Sequence, residues 1–140
     1  MSDRSGSTAS QLLYCSSSTR IRIGKNVKYI PQELFYRSTV DIVYFEQGSI
    51  CSEIRNNAFR EAKVNILVIP SSLQKVDDYS FNFSEIANIY SEKDSNALNS
   101  ITNWDSFFNS DINNATKYYY SSTNSSGKWH YDDNGVPVLW

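Results

Sequence analysis

Apolar residues recur along the chain at a regular spacing. Phe35, Phe59 and Phe81 follow one another at intervals of 24 and 22 residues, and other apolar positions recur with them. The clearest copy covers residues 64–91, where an apolar run ends at Pro70, a Ser-Ser turn follows, and a second run begins after Phe81. Alternating apolar residues within a short run are typical of a β-strand. The pattern predicts a repeating unit of strand, turn and return segment.

Three copies of the unit can be aligned in register. Each contains two alternate strand residues, two residues three apart after the turn, one phenylalanine, and one apolar residue that leads into the next strand. The copies are Ile21, Ile23, Val27, Ile30, Phe35 and Val40; Val43, Phe45, Cys51, Ile54, Phe59 and Val64; and Leu67, Ile69, Leu73, Val76, Phe81 and Ile86, with Ile89 and Ser91 as a weaker fourth strand. The second copy has two more residues between strand and turn, 46–50 against 24–26.

Recurring apolar columns predict a solenoid. One unit alone cannot bury its columns, but stacked units form a continuous core. We therefore predict a β-rich α/β solenoid, a leucine-rich-repeat stack of about three to four turns, with helical or 3₁₀ pieces on the return side. The alternative is a chance series of amphipathic strands in an ordinary β-fold. Cys51 occupies the column of Val27 and Leu73, so we interpret it as a core residue.

The two ends of the chain depart from the repeat. Residues 1–19 are rich in Ser, Thr and Gly and predict a flexible tail, whose apolar patch at 11–15 is a candidate cap. Residues 20–91 hold the leucine-rich repeats. Residues 92–140 are predicted to be a C-terminal closing module. Trp104, Phe107 and Phe108 in this module would share one face of a helical turn and cover the last strand edge.

A β-hairpin is predicted at the end of the chain. Asn134-Gly135 lies between residues 129–131 and 136–140, which are aromatic or β-branched. An Asn-Gly pair between such flanks is the strongest short-range hairpin signal. Pro137 would restrict its strand to a sheet edge. We predict that this aromatic β-hairpin caps the repeat stack.

Several motifs carry a family resemblance. The motif V-x-x-I-x-x-x-x-F at residues 27–35 and the sequence I-P-S-S at 69–72 resemble BspA-like leucine-rich repeats. The C-terminal sequence YYYSS…G-x-WHY…GVPxxW resembles the closing module of bacterial members. Those repeats usually have Gly where this chain has Pro31, Arg55 and Asp77, so the resemblance depends on the apolar columns and on I-P-S-S. It implies adhesion or partner recognition, often at bacterial cell surfaces.

Charge and composition argue against several classes of protein. The chain carries 13 Lys and Arg against 15 Asp and Glu without a basic stripe, so we expect no nucleic-acid partner. No apolar stretch approaches the roughly 18 residues of a membrane span, and we expect no membrane insertion. The N-terminus shows no secretory signal. This fits a cytoplasmic protein as the chain stands, or a cell-surface one if it is part of a longer exported protein.

Candidate catalytic and metal-binding groups are few. His130 is the only histidine, and the adjacent Asp132 and Asp133 cannot complete a triad with it from the same hairpin. The sequence contains no nucleophile elbow and no glycine-rich phosphate loop. Cys15 and Cys51 lack metal-ligand spacing. We expect no catalytic residue, metal or cofactor, and keep an enzyme that uses His130 as the least favoured alternative.

The outward strand positions define a candidate binding surface. Side chains alternate along a strand, so the residues between the core columns face outward. They are Arg20, Arg22, Ile42, Tyr44, Ile66, Val68, Asn88 and Tyr90, of which five are apolar or aromatic. A contiguous apolar surface with tyrosines indicates an interaction site. We predict a non-catalytic protein-binding module that contacts an unidentified partner through Arg22, Ile42, Tyr44, Ile66, Val68 and Tyr90.

Two alternatives to this binding surface remain. The face could be covered by the C-terminal module or by a neighbouring copy of the chain. The chain could also be the structural C-terminal cap, or a self-associating unit, of a longer repeat protein.

Overall fold

The structure, a computed structural model, describes residues 18–140. Residues 1–17 of the predicted tail, with the apolar patch at 11–15, lie outside the described residues. The predicted division of the chain into a tail, a repeat region and a closing module, with boundaries after residues 19 and 91, stays a prediction. The described strands are β1 (Arg20–Ile23), β2 (Tyr29–Ile30), β3 (Thr39–Phe45), β4 (Glu53–Ile54), β5 (Lys63–Ile69), β6 (Lys75–Val76), β7 (Glu85–Ser91), β8 (Thr116–Tyr120), β9 (Lys128–Tyr131) and β10 (Pro137–Leu139). Helix α1 (Ser95–Asn99) and a 3₁₀ helix (Phe107–Asn114) lie between β7 and β8.

Two sheets form the walls of a β-solenoid of about three turns. The larger sheet has the order β1-β3-β5-β7-β8-β9-β10, and the short strands β2, β4 and β6 form the smaller one. All pairs in both sheets are parallel except β9 with β10. Val43 pairs with Leu67, Leu67 with Ile89, and Ile54 with Val76. The predicted register of the apolar columns is confirmed.

The return side contains turns in place of the predicted helical or 3₁₀ pieces. Between residues 20 and 91 the structure has no helix, and the chain turns at 32–37, 56–61 and 78–83. Each turn holds two non-glycine residues at positive φ, namely Glu33 and Arg37, Asn57 and Glu61, and Tyr79 and Phe83. A left-handed residue ends a right-handed helix. The backbone N–H groups therefore reach the next repeat, as Phe35 N to Ala58 O (2.7 Å) and Phe59 N to Ser80 O (2.8 Å) show.

The phenylalanine column forms the centre of the core. Phe35 stacks on Phe59 with ring centroids 4.9 Å apart, and Phe59 stacks on Phe81 at 5.4 Å. All three rings are fully buried, as is Cys51. Aromatic pairs add about 0.5–1.5 kcal/mol beyond the burial of their surface. Trp104 follows the stack edge-on, 6.1 Å from Phe81.

Trp104, Phe107 and Phe108 were predicted to share one helical face and to cover the last strand edge. This prediction is wrong for the two phenylalanines. Trp104 is 1% exposed, but Phe107 is 84% and Phe108 38% exposed. The 3₁₀ helix begins only at Phe107, so Trp104 lies in the preceding turn and the three side chains do not share a helical face. The edge of β7 is instead covered by β8, which pairs with it in parallel.

The last turn of the repeats ends in side-chain hydrogen bonds. The N–H of Phe81 donates to Asn109 Oδ1 (3.0 Å), and the N–H of Phe83 donates to Asp111 Oδ2 (2.8 Å). In the earlier turns the corresponding N–H groups of Phe59 and Glu61 donate to carbonyls of the next repeat. Two side chains of the 3₁₀ helix therefore occupy the places of carbonyl groups from a further repeat.

Candidate binding surface

Strands β1, β3, β5 and β7 bring the six predicted site residues to one face of the larger sheet. The register sets Arg22 beside Tyr44 and Ile42 beside Ile66. It also sets Val68 beside Tyr90. Because side chains alternate along each strand, these residues share the face that points away from the Phe column. We call this surface the outer sheet face.

Exposure divides the predicted residues into two groups. The side chain of Arg22 is 60% exposed, and Tyr44 and Ile66 are half-buried. Ile42 is 4%, Val68 0% and Tyr90 6% exposed. The expectation that the latter three side chains are exposed is wrong. Their predicted contact with a partner would require the residues around them to move, and the binding role of the whole set stays a prediction.

Aromatic residues from β8 and β9 cover the β7 end of the outer sheet face. Tyr90 meets Tyr118 edge-on at 5.4 Å and Trp129 at 5.6 Å. The Trp129 indole N–H donates to the carbonyl of Ser91 (2.9 Å), which holds the indole against β7. Trp129 is itself fully buried. At this end, aromatic side chains therefore form a second packed layer on the outer side of the sheet.

Burial also changes the acidity of two tyrosines in this layer. Burial raises the pKa of Tyr90, and the charge of Tyr118 adds to the effect. Burial raises the pKa of Tyr131 strongly, and its hydrogen bond to Glu92, donated from the hydroxyl to Oε2 at 2.5 Å, raises it further. Both phenols therefore stay neutral at physiological pH and act as hydrogen-bonding and packing groups.

The open part of the outer sheet face lies over β1, β3 and β5. Arg20 Nε is 4.0 Å from Asp41 and Arg22 Nη1 is 4.0 Å from Glu46, and both arginine side chains are more than half exposed. Exposed ion pairs of this length contribute little, typically about 0–1 kcal/mol. Both guanidinium groups can therefore exchange these partners for others at low cost. Beside them, Tyr44 and Ile66 offer apolar surface.

A polar ladder crosses the strands at the margin of the face. Asn65 Nδ2 donates to Asp41 Oδ1 (2.9 Å), and Asn88 Nδ2 donates to Asn65 Oδ1 (3.2 Å) and to its carbonyl (3.0 Å). Our sequence reasoning missed this ladder. The available signal was an Asp or Asn directly after the columns of Val40 and Val64, since both residue types are uncommon in strands.

A second exposed aromatic patch lies where the 3₁₀ helix meets the last return turn, residues 78–83. Phe107 and Phe108 meet edge-on at 5.0 Å, and Phe108 contacts Tyr79 at 4.4 Å. Phe83 is 66% exposed. Sequence reasoning missed this patch because it placed Phe107 and Phe108 over the last strand edge.

The groups with catalytic potential form defined contacts. His130 stacks on Trp140 with ring centroids 3.5 Å apart, and Asp132 Oδ1 accepts the N–H groups of Asn134 and Val136 (2.8 and 3.0 Å). Burial raises the pKa of the Cys51 thiol to about 11, so the thiol is neutral at pH 7. Among residues 18–140, no cluster of His, Cys, Asp and Glu could hold a metal ion. No helix in this part of the chain is long and apolar enough to cross a membrane.

Comparison with known proteins identifies the repeat family. A family model of BspA-type leucine-rich-repeat regions matches residues 7–131 in six copies. Neither the curated proteins nor the solved structures contain a significant match to the chain. Repeats of this family are commonly involved in protein–protein interaction or adhesion, and such solenoids are typically non-catalytic. The matched segment covers β1 to β9, well over half of the sequence, and the chain therefore belongs to the BspA-type leucine-rich-repeat family.

Proposed function

We propose that this chain is a non-catalytic module that binds a protein partner through the open part of the outer sheet face. The observation that carries the proposal is the placement of Arg22 beside Tyr44 on adjacent strands, with Ile66 diagonally across on the next strand beside Ile42, all three partly or fully exposed. Arg22 pairs with Tyr44 in the register, and Ile66 lies on the next strand. Arginine and tyrosine are the residue types that contribute most binding energy in protein interfaces.

The rigidity of the sheet supports this proposal. Each of β3 and β5 is paired on both sides, so the backbone under Tyr44 and Ile66 is fixed before any partner arrives. A preorganised surface loses little conformational entropy on binding. The buried Ile42 and Val68 hold the exposed side chains in position and act as supports rather than contacts.

Mixed chemistry of the surface indicates the kind of partner. The two arginines are only weakly paired at 4.0 Å, while the adjacent tyrosine and isoleucine offer apolar area. A partner with carboxylates next to an apolar or aromatic side chain would satisfy both. Such a pairing gives specificity through charge and affinity through burial.

A capture experiment with matched variants tests the proposal. The partner is isolated from the native host by pull-down and identified by mass spectrometry, and its affinity is then measured with purified proteins. The double variant Arg22→Glu, Tyr44→Ala should bind at least about tenfold more weakly, since each ten-fold change needs only about 1.4 kcal/mol. Arg37→Glu, an exposed arginine of the return side, is the matched control and should bind normally. Equal affinity of the double variant and the control would refute the proposal.

A second candidate function, a structural cap, is favoured by the end of the repeat stack. Asn109 and Asp111 accept the N–H groups of Phe81 and Phe83, which a further repeat would otherwise satisfy. We propose that residues 92–140, with the aromatic hairpin of β9 and β10, close the stack against addition of another repeat or another copy.

Light scattering after gel filtration tests this capping role. Replacing both Asn109 and Asp111 with Ala should shift a monomeric protein towards oligomers, and an unchanged monomer of unchanged stability would contradict it.

A further inference from the structure

A cleft of 490 Å³ lies near the C-terminus, apart from the open part of the outer sheet face. It opens beyond Tyr120 and Trp129, the last pair between β8 and β9. Its walls include four aromatic residues and two acidic ones, which are Tyr120, His130, Tyr131, Trp140, Asp132 and Asp133. Neither the sequence motifs nor the family match assigns a role to this cleft.

The aromatic walls are fixed in place and still exposed. The Trp140 indole stacks on His130 at 3.5 Å with 11° between the ring planes, and its N–H donates to the carbonyl of Ser121 (2.9 Å). Tyr120 packs edge-on against Trp129 at 5.3 Å. Even so, Trp140 is 38% and Tyr120 42% exposed. Aromatic faces carry negative electrostatic potential and attract cations placed over them.

The acidic walls lack a cationic partner. Asp132 is oriented by two backbone N–H groups that bind its Oδ1, and Asp133 is exposed. Within residues 18–140 neither carboxylate forms an ion pair, and no Lys or Arg lines the cleft. On the repeats, by contrast, carboxylates such as Asp41 and Glu61 lie within 4.0 Å of an arginine. Two carboxylates therefore line the cleft without a Lys or Arg among the described residues paired with either.

The same chain shows how such a combination accommodates a guanidinium group. Arg55 lies over the ring of Tyr29 at 3.7 Å from its centroid, and its Nη2 is 3.7 Å from Glu53 Oε2. One aromatic face and one carboxylate hold this group. The cleft offers both, with exposed aromatic rings and two carboxylates, but no internal guanidinium fills it.

We propose that the cleft binds an arginine side chain of a protein partner, with the guanidinium against the exposed Tyr120 and Trp140 rings and paired with both Asp132 and Asp133. The planar guanidinium stacks on aromatic faces and donates up to five hydrogen bonds to carboxylates. A neutral or apolar group would leave the carboxylates unpaired. The site is separate from Arg22, Tyr44 and Ile66 and does not depend on binding there.

A titration of the full chain with N-acetyl-L-argininamide tests the proposal. In an assigned ¹H–¹⁵N spectrum, saturable shifts are expected at the Trp140 indole N–H and at the amides of residues 130–133. The two other indoles, Trp104 and Trp129, are buried and should shift little. N-acetyl-L-citrullinamide has nearly the same shape without the charge, and it should bind at least about tenfold more weakly.

Two variants complete the test. Asp133→Asn removes one charge at an exposed position and should weaken binding several-fold, about threefold or more, while Asp105→Asn, a matched exposed aspartate elsewhere, should leave it unchanged. Equal binding of the arginine and citrulline probes, or unchanged binding by Asp133→Asn, would overturn the proposal. Shifts of the same amides with the neutral disaccharide maltose but not with the arginine probe would overturn it as well, in favour of a carbohydrate site.

Discussion

Val68 on β5 pairs with Tyr90 on β7 in parallel register, and both side chains are buried although they point away from the phenylalanine core. Tyr90 is in turn packed against Tyr118 and Trp129. The larger sheet is therefore packed on both faces where β5, β7, β8 and β9 meet. Its outer face is open over β1, over β3 and over the part of β5 that carries Ile66.

A charge at Val68 should destabilise the protein strongly. Val68→Asp places a carboxylate at a fully buried position without a partner, so we expect the free energy of unfolding to fall by about 3 kcal/mol or more. Urea denaturation followed by circular dichroism measures the loss. Arg22→Glu, a charge change on the open part of the same face, should change stability by less than about 0.5 kcal/mol. Similar stabilities for the two variants would show that Val68 is exposed after all.

Removing the Asn109 side chain should unravel the end of the repeat stack. This fully buried amide accepts the N–H of Phe81 and donates to the carbonyls of Asp77 (3.0 Å) and Asn103 (3.1 Å). Each unsatisfied buried group costs about 1–3 kcal/mol, so Asn109→Ala should lose about 3 kcal/mol or more in urea denaturation. Asn113→Ala, an exposed asparagine of the same 3₁₀ helix, is the control. If the two variants are equally stable, the side-chain hydrogen bonds do not hold the end of the stack.

The phenylalanine column should be intolerant of truncation at its centre. Phe59 stacks on Phe35 and on Phe81 and is fully buried, so Phe59→Ala should cost about 3–5 kcal/mol. Phe107→Ala removes the same atoms at a position that is 84% exposed and should cost little. The two melting temperatures, compared under identical conditions, provide the measurement. A loss below about 1 kcal/mol at Phe59 would be incompatible with a continuous stacked core.

Cys51 should make stability depend on pH in the alkaline range. Burial raises the pKa of its thiol from 9.0 to about 11 in the folded chain. The unfolded chain then releases the proton first, so the stabilisation is fully present below pH 9 and is lost as the pH rises from 9 to 11. The loss amounts to up to about 3 kcal/mol, since one pKa unit corresponds to about 1.4 kcal/mol.

The Cys51→Val variant isolates this contribution. Val27 fills the equivalent column of the first repeat, so valine suits the site. The difference between wild type and variant in free energy of unfolding should be constant below pH 9 and should shrink or reverse above it. A difference that stays constant up to pH 11 would show that the thiol ionises equally in both states.

Periodicity explains which features could be predicted from the sequence. In a parallel solenoid each repeat lies directly over the last, so aligning Val43 with Leu67 in the sequence also aligns them in space. On the outer sheet face, the contacts that bury Tyr90 are not between equivalent positions of successive repeats. Tyr118 and Trp129, which bury Tyr90, lie 28 and 39 residues further along the chain, outside the repeat spacing. Their contacts depend on the β7–β8–β9 pairing, which the spacing of the apolar columns in residues 20–91 does not indicate.

The return side was mispredicted for a local reason. Left-handed backbone conformations favour glycine. The turns of the return side instead have non-glycine residues in this conformation, such as Glu33, Asn57 and Tyr79. Hydrogen bonds to the next repeat fix these conformations. Such bonds join residues more than 20 positions apart, so a short stretch of sequence does not predict them.

The two additional residues between β3 and β4 identify a place where the chain tolerates added length. Segment 46–50 is longer than its counterpart 24–26, yet β3 stays in register with β1 and β5, and β4 with β2 and β6. Gln47 and Gly48 are exposed, and loop closure costs little more as a loop grows. The peptide bond between them is therefore a suitable point for grafting an epitope or a reporter domain, which would display the graft beside the repeats without disturbing their stack.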